Sequence, residues 1–127
     1  MQTASTITQM LIRFIGLIQI VLGVLFWSGS VRGMIPVHML LGFVLVLALW
    51  TLAGLAARAG VSPALVVVAV LWGLLVAVLG MTQEQLLPGD YHWVIQVAHL
   101  LVGLAAIGQG EGLAARIKQA RSSALQG

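Results

Sequence analysis

Apolar residues run almost unbroken through four stretches of the chain, at about 7–28, 34–57, 62–82 and 91–115, and polar residues gather in the breaks between them. Each stretch is near the ~20 residues that a helix needs to cross a hydrocarbon core of ~30 Å. The pattern predicts an all-α fold, a four-helix transmembrane bundle. The breaks carry turn chemistry. In "AGVSP" (59–63), Ser62 is placed as an N-cap and Pro63 at the first helical position. "SGSVRGMIP" (28–36) supplies glycines ahead of Pro36. "LPGDYHW" (87–93) sets a Pro-Gly-Asp turn before Tyr91, His92 and Trp93, an interfacial signature.

The pattern also repeats. "GLAAR" occurs at Gly54–Arg58 and again at Gly112–Arg116, an offset of 58, and "GLIQIVLG" from Gly16 is echoed by "GLLVAVLG" from Gly73, an offset of 57. This predicts that the bundle is built from two repeated helical hairpins with one orientation, related by a pseudo-two-fold axis along the membrane normal. A pocket between the halves would be lined by similar positions from each.

Composition agrees with a lipid solvent. The 127 residues are 61% hydrophobic and only 7% charged, with a mean hydropathy of +1.10. A soluble domain of this size cannot bury so much apolar surface, so residues 1–127 read as a single transmembrane domain whose first partner is the lipid bilayer. The absence of cysteine excludes disulfides, thiolate metal sites and iron–sulfur clusters. The net charge of +3 comes from a few basic residues at span ends and does not point to nucleic acid. Arg13, Arg58, Arg116, Lys118 and Arg121 fall on one side of a four-span model; Arg32, Glu84 and Asp90 fall on the other. The excess of basic residues places both termini in the cytoplasm of a multi-pass protein, as in a bacterial inner membrane. Residues 116–127, rich in Ser, Gln and Ala, are expected to be a frayed cytoplasmic tail.

Histidines are the candidate chemistry, because ionisable groups in apolar spans are costly and usually have a task. His38 opens span two; His92 and His99 share a face of span four. At heptad spacing that face reads His92, Gln96, His99, Gly103, Ala106, Gly110, all polar or small. It should point inward. Close helix packing explains the small residues but not two histidines and a glutamine. H-x-x-x-G occurs once in each half, at His38–Gly42 and His99–Gly103, with an offset of 61. In both motifs the glycine leaves room beside the imidazole for something flat and wide. Spans one and three carry paired glycines, Gly16 with Gly23 and Gly73 with Gly80, and Gln19 lies close to the first pair.

With these residues the chain resembles the four-helix b-type cytochromes of respiratory membranes, over about residues 10–115. In that family histidines of the second and fourth helices bind haem iron from opposite sides, and glycines of the first and third let the porphyrin approach. The resemblance implies His38 and His99 as the iron ligands of one haem b, with Gly16, Gly23, Gly42, Gly73, Gly80 and Gly103 providing clearance. Unlike the diheme members, span two has a single histidine, so at most one bis-histidine haem fits. His92 and His99 approach from one helix and cannot take opposite axial positions, so a single-chain site needs His38, with His99 or His92 as partner. Counted from the cytoplasmic arginines, His38 is 20 residues from Arg58, while His99 and His92 are 17 and 24 from Arg116. The depth mismatches are about 4.5 and 6 Å, and the shared motif favours His99. His92 reads more readily as an interfacial residue that hydrogen-bonds a propionate. Arg32 is either a propionate partner or a solvated loop charge. Arg13 and Glu111 pair as a salt bridge, the alternative being a quinone-head or proton site.

The implied role is one-electron transfer, either on its own or as part of a quinone-linked oxidoreductase. A single haem in the outer half cannot span the core, so exchange with a quinone or an outer-face redox protein follows. Two other classes compete: a cofactor-free small transporter or proton relay built from inward His, Gln and Glu, and a structural membrane subunit that docks a partner on its small-residue faces. An outer metal site from His38, His92 and Asp90 lacks a recognisable ligand spacing.

Overall fold

The computed structural model describes residues 2–126 and consists of four long helices. They are α1 (Gln2–Trp27), α2 (Ile35–Arg58), α3 (Pro63–Thr82) and α4 (His92–Ala124). Short 3-10 turns at Arg32–Met34 and Gln83–Gln85 adjoin α2 and α3. All four helices are long and apolar enough to cross a membrane. Large apolar side chains lie on the outside of every helix, with Phe14 66%, Leu40 64%, Leu71 60% and Leu101 60% exposed. Such a surface is stable only against lipid, so the four helices suggest a multi-pass protein in a bilayer.

Helix ends follow local chemistry. Pro36 and Pro63 stand in the first turns of α2 and α3, where a missing N–H costs nothing. Ser62 occupies the N-cap position but makes no side-chain cap. Its carbonyl oxygen instead accepts from the Leu65 and Val66 N–H groups. α1 and α2 both end on a left-handed glycine, Gly29 (φ +81°) and Gly60 (φ +79°). After each, a backbone N–H reaches back five residues, Ser30 to Leu25 O and Val61 to Ala56 O, which closes the last turn. The segment expected to fray does not: α4 continues to Ala124. Its Ala, Lys, Gln and Arg residues are strong helix formers, and Ile117 is only 1% exposed against the core.

Sequence neighbours pack side by side, and α1 closes the ring against α4. α2 and α4 also touch across the bundle, whereas α1 and α3 make no comparable contact. The diagonal contact sits at the end marked by Arg13, Arg58 and Arg116. There Ile12, Leu49, Leu52 and Ile117 are fully buried, joined by Ala53, Ala56, Leu113 and Ala114. Gly110 lets α1 pack closely against α4 there, since a Cβ at that position would meet Ile12 Cδ1 at 2.9 Å. Arg13 Nε and Nη2 donate to the two Glu111 carboxylate oxygens at 2.6 and 2.7 Å, and Gln9 Nε2 donates to Oε2 at 2.6 Å. The expected salt bridge therefore forms, and neither α1 nor α4 presents a lone charge to lipid there. The bundle has one packed half and one open half.

Candidate cofactor site

The open half is a cavity of about 620 Å³ between the four helices, at the end of the loops 28–34 and 83–91. Its size lies within the ~300–1,000 Å³ typical of small-molecule and cofactor pockets. α2 and α4 supply its imidazoles. His38, one turn into α2, and His99, two turns into α4, bring their ring centroids to 6.2 Å, with ring planes 57° apart. Phe26 of α1 places its ring edge-on to His38 at 5.3 Å, which limits how that imidazole can turn. Nδ1 of His38 and Nδ1 of His99 are both buried without a hydrogen-bond partner. A buried polar atom left in this way costs about 1–3 kcal/mol. Two such atoms in one cavity are difficult to explain as packing. His92 also lines the cavity. Its Nδ1 lies 3.2 Å from Leu86 O, which ties it to the loop before α4. The structure thus sets His38 beside His99 rather than beside His92.

Glycines shape the walls in three different ways. A Cβ added at Gly23 or Gly103 would meet nothing within 4 Å, and both residues line the cavity, so their backbones bound open space. Gly42 and Gly80 also line the cavity but serve side chains. A Cβ at Gly42 would sit 3.0 Å from Gln19 Nε2, and one at Gly80 would sit 3.4 Å from His99 Cε1. Gly16 forms part of the floor, where Ile107 Cδ1 already fills the adjoining space at 2.6 Å. Gly73 does not belong to the site. The Trp50 indole packs on it, with Nε1 2.5 Å from the position of an added Cβ. Gly73 provides clearance for Trp50 instead of a cofactor.

Trp50 and Trp72 were not apparent as structural residues in the sequence. Trp50 Nε1 donates to Val70 O at 3.0 Å, linking α2 to α3, and Trp72 Nε1 donates to Val102 O at 2.9 Å, linking α3 to α4. Each uses a second lone pair of a helical carbonyl. A signal did exist: both tryptophans are far from the span ends, and an indole N–H within hydrocarbon must find an acceptor. At the loop end, Arg32, Gln83 and Glu84 complete the lining, and Gln96 adds an amide between His92 and His99.

The arrangement presents two neighbouring, mutually tilted imidazoles beside a space that is wide, largely apolar and bounded in part by bare backbone. Among the described residues no group of three or more His, Cys, Asp or Glu side chains is placed to hold a bare metal ion. A metal held here would have to bring further ligands of its own. No family model, no curated protein and no solved structure matches this chain.

Proposed function

We propose that the chain is a small membrane b-type cytochrome that holds one haem b between His38 and His99 and passes electrons one at a time. The observation that carries this reading is the spacing of the two imidazoles. A metal about 2 Å from each of two opposed ring nitrogens places the ring centroids roughly 6 Å apart. The centroids of His38 and His99 are 6.2 Å apart. A porphyrin brings four equatorial ligands, which is what a site with only two facing side chains requires. Haem iron supplies reversible one-electron chemistry when bound. The chain's own residues would bind and orient it: His38 and His99 as axial ligands, Gly23 and Gly103 as bare walls, and Arg32 with His92 toward propionates at the loop end. The packed half leaves no room for a second haem, so electrons would be exchanged with a quinone or a redox protein at the loop end. The test is the visible spectrum of protein purified from cells with ample haem. A sharp reduced α-band of a six-coordinate haem is expected; its absence sinks the cytochrome and makes a proton relay through the same polar cavity the better reading.

The same proposal includes topology. Arg58, Arg116, Lys118 and Arg121 cluster at the packed end, which supports cytoplasmic termini and a cavity facing the outer side. Cysteines introduced one at a time into the 83–90 loop should react with an impermeant reagent added outside intact cells. Labelling only after permeabilisation would reverse the orientation. The doubled hairpin belongs here as well: each hairpin contributes one H-x-x-x-G, on helices that meet across the bundle. The offsets of 57 and 61 then call for a local length change between the glycine pairs and the histidines.

A further inference from the structure

A third polar atom in the cavity lacks a partner: Gln19 Oε1, buried and unbonded like the two histidine Nδ1 atoms. Gln19 comes from α1, and its amide rests against Gly42 of α2. Gly42 is one turn beyond His38 on the same helical face. A side chain at that position would crowd the amide, so the glycine of this H-x-x-x-G motif admits Gln19 to the turn next to His38. The glycine of the other motif, Gly103, admits nothing from the chain. The two motifs are alike in sequence and unlike in what they receive.

The unpartnered atoms are chemically complementary. An imidazole that binds metal through Nε2 carries its proton on Nδ1, and that N–H needs an acceptor. An amide oxygen is an acceptor: the Gln19 amide rests, through its Nε2, against Gly42, one turn from His38, and its oxygen has no other bond. His99 faces a different wall, with its Cε1 against Gly80 of α3. We infer that Gln19 is a positioning residue for His38: its Oε1 accepts the Nδ1–H of His38 when His38 serves as an axial ligand. This rests on the cytochrome reading above. The bond fixes the tautomer and ring orientation of His38 and raises its basicity, which favours ferric over ferrous iron. The two axial ligands are then unequal, with His38 the stronger donor.

The experiment compares the full-length haem-loaded wild type with Gln19→Met, Gln19→Leu and Gln19→Glu, measuring reduction potential by optical titration together with the α-band. Met keeps the length of Gln without the amide, and Leu suits a membrane helix, so both variants should fold. In each, the six-coordinate band should persist, the potential should rise, and haem affinity should fall roughly 10–100-fold. Gln19→Glu retains an acceptor oxygen, so its potential should stay at the wild-type value or fall below it. Wild-type potentials in Met and Leu would overturn the assignment while leaving the cytochrome intact. A rise in all three variants would also overturn it, because that pattern reports altered packing rather than a lost acceptor. A wild-type protein without a haem band would remove the cytochrome reading and this inference together.

Discussion

His38→Ala and His99→Ala should each abolish the six-coordinate haem spectrum, leaving either haem-free protein or a five-coordinate form. The two rings line one cavity from different helices, with centroids 6.2 Å apart. Removing either leaves an iron with a single protein ligand and an open face. Loss of an axial ligand should cost more than the roughly 10–100-fold that outer hydrogen-bonding partners cost, so haem should be largely lost on purification. The bundle itself should survive, because the buried cluster around Leu49, Leu52 and Ile117 includes neither histidine. His92→Ala should keep the six-coordinate band, since its ring is bonded to the loop carbonyl of Leu86. The measurement is haem per protein with the reduced and oxidised spectra of all three variants. Loss of haem in His92→Ala with retention in His99→Ala would make His92 the ligand and leave the cytochrome standing.

Filling the cavity should be nearly as damaging as removing a ligand. A side chain at Gly103 would enter space where no atom lies within 4 Å of its Cβ, on the helix that carries His99. Gly103→Leu therefore meets no clash at its Cβ and competes for the volume a porphyrin would occupy. Haem content should drop severalfold at unchanged yield and helix content by circular dichroism. Gly54→Leu is the control. Gly54 also has no neighbour within 4 Å, but it is exposed on the outer surface, where lipid accepts a leucine. Equal haem loading in Gly103→Leu and wild type would show that this wall is not part of the binding volume.

Much of the fold was legible because a membrane helix announces itself by composition over some twenty residues, and because Pro36, Pro63, Gly29 and Gly60 punctuate the chain by fixed backbone rules. The inward face of α4 was legible for a related reason: polar and small residues at heptad spacing have no place against lipid. Gly73 was misread because an inward glycine reports that something approaches the backbone without saying what. The occupant, Trp50, lies on the neighbouring helix, at a distance in sequence that no local pattern encodes. The far end of α4 was misread because its polar composition suits a tail and a solvated helix equally; burial of Ile117, a tertiary contact, decides between them. Nor could spacing reveal that the small residues close the bundle at one end and leave it open at the other. That depends on Gly110 meeting Ile12 while Gly103 meets nothing.

The division into a packed half and an open half has a consequence for biogenesis. The contacts that lock the four helices together, including the Arg13–Glu111 pair and the Leu49–Leu52 cluster, lie away from the imidazoles. Insertion and helix association can then finish on their own, with maturation left as a separate, later event. On the proposed cytochrome reading, delivery of the prosthetic group would proceed through the end bounded by Arg32 and Glu84. The compartment facing that end would then decide when the protein becomes competent.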